Sequence, residues 1–278
     1  SCFNTVRLGN SKVLYQQYGG EGIYQYDAST NQITLLLPTT RIAQYLASLV
    51  GINYGLGYPA FVPKDNEHLY LMYNQTGSNS SCPILLQYDL ATDQFTNLTV
   101  LKDLERPSVA CAVEGQVYFT TNGAKGDLYR YDPSAGSVTR YTAPNWIKQA
   151  FIDENLPDAI NLVPSPEGEI WQLIGLIYEP APSIAQLGTQ MSYYECDLHC
   201  LIGVNPRTGE WWQISLQDVF GQGRYRPAGG CFTFGETSDV IYFFGYNTAD
   251  YATVLLEYTR SSRNVKEIGR ASWWESVY

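Results

Sequence analysis

The chain has 278 residues, 45% of them hydrophobic, 14% aromatic and only 16% charged, with a formal net charge of −10 at pH 7. Ordinary apolar content with so few charges excludes an intrinsically disordered chain and a Glu/Lys/Leu-rich coiled coil. A pI near 4.7 argues against nucleic acid or an anionic membrane surface as partner, and no apolar run nears the roughly 20 residues of a membrane span.

The first predicted element is a strand over Asn4–Leu8, followed by the segment Ile23-Tyr-Gln-Tyr-Asp27-Ala-Ser-Thr. That aromatic strand and polar turn return four times: Leu85-Leu-Gln-Tyr-Asp89-Leu-Ala-Thr, Leu128-Tyr-Arg-Tyr-Asp132-Pro-Ser-Ala-Gly, Leu201-Ile-Gly-Val-Asn205-Pro-Arg-Thr-Gly and Leu255-Leu-Glu-Tyr-Thr259-Arg-Ser-Ser. Asp or Asn before Pro, Ser, Thr or Gly is turn chemistry, because the short polar side chain bonds the local backbone. In the second repeat, strands are expected near Ala60–Val62, Leu69–Tyr73, Leu85–Tyr88 and Phe95–Leu98. Five such units of about 56 residues each predict one all-β domain over residues 1–278, a five-bladed β-propeller. A six-bladed propeller competes if the stretch from Gly175 to Tyr194 holds extra strands. The last strand is expected over Asn264–Ile268, so no blade mixes the two chain ends.

Short helices are expected in the linkers between blades. Thr39 or Thr40 can cap one that carries Ile42, Tyr45, Leu46, Leu49 and Val50 on one face. Others are expected over Leu101–Leu104, Trp146–Phe151 and Leu216–Phe220. Pro59, Pro107, Pro157 and Pro227 follow them and suit the first position of an inner strand, where no ladder N–H is needed.

Six cysteines, Cys2, Cys82, Cys111, Cys196, Cys200 and Cys231, fit three disulfides out of 15 possible pairings. The predicted topology suggests Cys2–Cys231 between the first and last blades, Cys82–Cys111 between the second and third, and Cys196–Cys200 as a local loop. Sequons at Asn74, Asn79 and Asn97 point to the same oxidising compartment. A start at Ser1 rather than Met fits signal-peptide removal, so a secreted or luminal glycoprotein is expected.

By analogy with propellers generally, a ligand is expected at the channel mouth formed by the linkers and by the loops between second and third strands. Arg106 and Arg226, each just before a proline, fall there. A guanidinium can hold a carboxylate or polarise a carbonyl; the alternative is an ion pair with an acid such as Glu105 or Asp158. Tyr54, Tyr58, Trp146, Tyr194, Tyr246, Trp273 and Trp274 supply aromatic walls, and Asn161 a polar group, as candidate substrate-binding residues. Asp158 and His199 are candidate acid–base groups beside the two arginines, whereas Asp153/Glu154 and Glu167/Glu169 read as solvated turn acids. No metal site is expected: the run from Cys196 to Cys200, with His199, has atypical spacing for zinc. No phosphate-binding glycine loop, calcium loop or nucleophile elbow is present, and no cofactor is expected.

The phrase Leu156-Pro-Asp-Ala-Ile160-Asn-Leu-Val-Pro-Ser-Pro-Glu-Gly-Glu-Ile-Trp171 resembles the blade phrase of SMP-30/gluconolactonase-like and streptogramin-lyase-like propellers. Asn4-Thr-Val-Arg-Leu stands where those lactonases carry a metal-binding acid, which argues against metal-dependent lactonase activity. The aromatic, acidic, sequon-bearing character is similar to secreted fungal hetero-Diels–Alderases related to that group. That resemblance implies cyclisation of a tropolone quinone methide with a sesquiterpene, a small hydrophobic or aromatic ligand being the partner. A secreted glycan-binding lectin and a protein-interaction propeller are the alternatives, and the oligomeric state is left open.

Overall fold

The computed structural model describes residues 2–17, 21–50, 60–74, 83–100, 104, 107–154, 156, 158–177, 196–220, 223–250 and 252–270. Their strands form five four-stranded antiparallel sheets, each from consecutive strands in up-and-down order. The first holds β1 (Cys2–Leu8), β2 (Lys12–Gln17), β3 (Gly22–Asp27) and β4 (Gln32–Pro38), followed by helix α1 (Thr39–Val50). The second holds β5 (Ala60–Pro63), β6 (His68–Asn74), β7 (Pro83–Asp89) and β8 (Gln94–Val100). The third holds β9 (Pro107–Val113), β10 (Gln116–Thr121), β11 (Leu128–Asp132) and β12 (Ser137–Tyr141), before α2 (Asn145–Asp153). The fourth holds β13 (Asn161–Pro164), β14 (Ile170–Ile177), β15 (Cys196–Val204) and β16 (Trp211–Ser215), before α3 (Leu216–Phe220). The fifth holds β17 (Tyr225–Phe234), β18 (Val240–Asn247), β19 (Thr253–Thr259) and β20 (Asn264–Arg270). This is a five-bladed β-propeller, as the repeat predicts.

One hairpin design sets the register of every blade. In the first four, an Asp or Asn ends or directly follows the third strand and its Oδ1 accepts the amide two residues on, at 2.9 Å: Asp27 from Ser29, Asp89 from Ala91, Asp132 from Ser134 and Asn205 from Arg207. Four residues after that first residue the backbone turns left-handed, at Asn31, Asp93, Gly136, Gly209 and Arg263. Gly, Asn and Asp tolerate that conformation best.

The chain divides into two compact units, Ser1–Ala124 with Leu128–Arg140, and Lys125–Asp127 with Tyr141–Tyr278. In the first, β6 is buried on both faces, which explains its unbroken apolar run. Leu69, Leu71 and Tyr73 pack with Leu14, Ile23 and Leu37 of the first sheet and with Ile42 and Leu46 of α1. Tyr70 and Met72 pack oppositely with Val117, Phe119 and Tyr129 of the third sheet. In the second unit, Trp171, Leu173 and Leu201 meet Phe232, Ile241, Phe243 and Leu256, with Leu216 and Phe220 of α3. The Trp171 ring covers Gly203 so closely that a Cβ there would lie 2.5 Å from it.

Several expectations need correction. Leu104 is not helical, the rest of the predicted 101–104 helix lying outside the described residues. Pro107 opens β9, but Pro227 is the third residue of β17 because pairing starts at Tyr225 with Asn247. Pro59 and Pro157 lie outside the described residues. Cys196 and Cys200 are not on a local loop: both belong to β15, paired with Ile177 and Ile174. Four strand steps separate their Cα atoms by about 10–13 Å, beyond the ~7 Å a disulfide spans. Cys200 is a buried free thiol, and so is Cys111, which the sequence reading pairs with Cys82. Burial pushes the Cys200 thiol up to about 12 and that of Cys111 higher. Cys82 and the side chains of Cys2, Cys196 and Cys231 lie outside the described residues, as do those of the sequon residues Asn74, Asn79 and Asn97.

The turn carboxylates make stability depend on acid. The Ser29 hydroxyl, the Thr92 amide and the Ser134 hydroxyl are the leading causes that lower the pKa values of Asp27, Asp89 and Asp132 below 3.8. Their contribution is complete above the unfolded value and is lost as pH falls through the lower folded values. Replacing all three by Asn, as Asn205 already is, keeps the turn bonds without the charge. The expected result is a smaller drop in Tm between about pH 5 and pH 3 than in the parent, read by thermal melts.

Candidate functional site

In the second unit a short buried polar network holds α2 against the fourth sheet. Asp127, fully buried, accepts the Ala143 amide at 2.7 Å and lies 3.3 Å from the Lys148 Nζ of α2. Beside it the buried Gln172 of β14 donates Nε2–H to the Gly126 carbonyl at 2.7 Å. Gly126 has φ +89°, and a Cβ there would come within 2.9 Å of Ile147. Residues 125–127 thus tie α2 to β14 by hydrogen bonds and close packing.

That tie positions Glu154, which caps the C-terminus of α2. Its carboxylate lies 3.9 Å from Nδ1 of His199. His199 sits on β15 where the ladder slips: Leu198 pairs with Gly175 and Cys200 with Ile174, leaving His199 unopposed. Such a bulge re-aims a side chain that a regular strand would place elsewhere. The imidazole Nε2 is buried and has no hydrogen-bond partner among the described residues. At 3.9 Å the Glu154 carboxylate acts on the imidazole through its charge rather than a hydrogen bond; an imidazole can take or give a proton near neutral pH, and at the sealed Nε2 that requires local opening of the site. Its neighbour Cys200 offers no thiolate nucleophile, because burial, to which the Glu154 charge adds, keeps the thiol protonated.

The other predicted residues are placed as follows. Asn161 begins β13, pairs with Leu173 and accepts the Leu162 amide at 2.8 Å. Asp158 is half-buried three residues earlier, so His199, Asp158 and Asn161 share the edge of the fourth sheet where β13 and β15 begin. Arg226 holds the equivalent position at the start of β17 and is paired across the ladder with Tyr246, both half-buried. Trp146 is half-exposed on the first turn of α2. Arg106, Tyr54, Tyr58, Tyr194, Trp273 and Trp274 lie outside the described residues. Glu154 is exposed, as its reading as a solvated turn acid expects, and its proximity to His199 at 3.9 Å is what that reading did not include. No sequence signal joins two residues 45 positions apart, and Asp127, Lys148 and Gln172 were missed for the same reason. A recess of about 500 Å³ lies elsewhere in this unit, and none of the sequence-predicted site residues lines it.

No protein-family model matches the chain, and no curated protein matches it. Among solved structures it is similar to TolB from Acinetobacter baumannii, with a TM-score of 0.55 and 16% identity over 98% of this chain and 55% of that one. It is also similar to the nidogen/laminin complex, at 0.55 and 10% over 99% and 81%, and to an oligogalacturonate lyase in complex with manganese, at 0.51 and 13% over 95% and 63%. The chain spans about half the length of the TolB chain it matches. At these identities the likeness shows the fold, a β-propeller.

The network makes a quantitative expectation. Lys148→Met removes the Lys148 ammonium from the buried Asp127 carboxylate, while Lys148 itself is about a third exposed. The expected cost is about 1–3 kcal/mol, below that of a fully buried pair, measured by urea unfolding.

Proposed function

We propose that this chain is an enzyme that binds a small aromatic or hydrophobic molecule at the strand-start edge of its second unit, with His199 as the proton-transfer group. The observation that carries this reading is the imidazole itself, at a bulge in β15, with the Glu154 carboxylate 3.9 Å from Nδ1 and Nε2 unpartnered among the described residues. The reaction that fits the resemblance is a dehydration followed by an intermolecular hetero-Diels–Alder closure. His199 takes the proton of a ring hydroxyl and returns it to the departing hydroxyl of a hydroxymethyl tropolone, so that water leaves and the quinone methide forms. A sesquiterpene alkene then adds across it, making one C–C and one C–O bond. Arg226 donates hydrogen bonds to the carbonyl oxygen, where negative charge grows.

Purified chain incubated with a hydroxymethyl tropolone and a humulene-type sesquiterpene is expected to release the cycloadduct, followed by mass-resolved chromatography. His199→Asn is expected to lower the rate by about 10²–10⁴-fold, and Glu154→Gln by less, because its exposed carboxylate acts on the ring only through its charge at 3.9 Å. Unchanged turnover in His199→Asn would remove the proton-transfer role. Simple sugars bound at several sites per chain would instead make this a lectin. The secreted, glycosylated state belongs to the same proposal: material from a secretory host is expected to lose mass on treatment with peptide N-glycosidase, and Asn→Gln at 74, 79 and 97 to abolish that loss.

A further inference from the structure

The recess of about 500 Å³ lies between β16 with α3 and the turns of the fifth sheet. One wall carries Arg260 and Arg263 together with Asp239, which is bonded to Ser261; the other carries Gln213 and Asp218, and Tyr258 also lines it. The turn that supplies the arginines is the fifth copy of the repeated hairpin, and it departs from the other four at three positions. The opening Asp or Asn is Thr259. The next residue, Ala28, Leu90, Pro133 or Pro206 elsewhere, is Arg260. The left-handed residue, elsewhere Asn, Asp or Gly, is Arg263 at φ +53°.

The backbone turn survives because another residue does the work of the lost carboxylate. Asp239, from the turn between β17 and β18, accepts the Ser261 amide and hydroxyl at 2.8 Å each. Ser29 and Ser134 make the same two bonds, but to the first residue of their own turns. Both oxygens of Asp239 are therefore occupied by Ser261. Arg260 is held over the Trp171 ring, 4.9 Å from its centroid, and donates to the Ser238 carbonyl at 3.0 Å. Arg263 is exposed, and no ion pair or side-chain hydrogen bond to it is found among the described residues. Burial raises the Tyr258 pKa while Arg263 and Arg260 both pull it back, so the two guanidiniums bear on the same phenol. A left-handed arginine is strained where glycine would be free, and strain of this kind is a pointer to function.

We propose that this recess is a second ligand site, for an anionic polyol of the sugar-acid class. Its carboxylate pairs with Arg263, beside the anchored Arg260, and its hydroxyls donate to Asp218 and Gln213 across the recess. The volume suits one or two sugar rings, and the polarised walls select a ligand with an anion at one end and donors at the other. The site is separate from His199, so the two proposals stand or fall independently.

The test is calorimetric titration of the whole chain with glucuronate, with glucose and with acetate. Glucuronate is expected to bind at least 10-fold more tightly than glucose or acetate. Arg263→Gly, which restores the residue of the third and fourth blades, is expected to weaken glucuronate by at least 10-fold and to leave Tm within about 2 °C or raise it. Asn31→Gly, the same turn position in the first blade, is expected to leave binding unchanged. Glucuronate no tighter than glucose or acetate, or retained by Arg263→Gly, would overturn the proposal. A lower Tm in Arg263→Gly would make Arg263 a structural residue and overturn it equally.

Discussion

Every blade depends on how its last two strands are joined. A β-hairpin slipped by one residue turns each side chain to the opposite face, so the turn decides what is buried. Here the turn is held by a carboxylate or amide oxygen bonded to the amide two residues on and by one residue in the left-handed region. With the register set, apolar residues of the neighbouring strands face adjoining blades, as Leu69, Leu71 and Tyr73 do on one side of β6 and Tyr70 and Met72 on the other. The fifth turn keeps the same geometry with different chemistry, Asp239 standing in for the missing first residue. That substitution frees the turn to carry Arg260 and Arg263.

The second unit uses a different device where it departs from the plain meander. α2 is an insertion between blades, and its apolar residues Ile147 and Phe151 are buried. Asp127–Lys148 and Gln172–Gly126 add direction, because hydrogen bonds to buried groups tolerate little displacement. The helix C-terminus is thereby fixed beside a bulge in β15. A regular strand would hold His199 in the ladder; the bulge releases it toward Glu154. Backbone irregularity and buried polar anchoring, rather than the blade pattern, make this the chemically distinct corner of the unit.

Particular residues show how much was legible. The strands of the second repeat, α1 over Thr39–Val50, and α3 over Leu216–Phe220 appear as read, because apolar periodicity and turn residues act over a few positions, although Thr39 is itself helical and its hydroxyl donates to the Glu21 carbonyl instead of capping. Placing Cys196 and Cys200 on a loop failed because an apolar run can continue as a strand, and β15 extends back to Cys196. His199 stands out by its rarity and Glu154 is the exposed acid its turn position implies, but only folding brings the end of α2 within 3.9 Å of β15. The arginines of the fifth turn stood in plain sight within the repeat, but their recess needs α3 and β16 as its other wall.

By itself, the sequence determined the propeller blade as the repeating unit, the order of strands within each blade and the placement of their turns; the choice of five blades over six came from the five sheets of the structure. These follow from local chemistry: in four of the five turns a short polar side chain bonds the nearest amides, and apolar strand residues lie between the turns. Tertiary structure alone decided which polar groups meet. Glu154 and His199, Asp239 and Ser261, and Asp127 and Lys148 are separated by 20 or more residues. Their pairing depends on side-chain distances of a few ångströms, which packing of helices and sheets creates and local sequence does not encode.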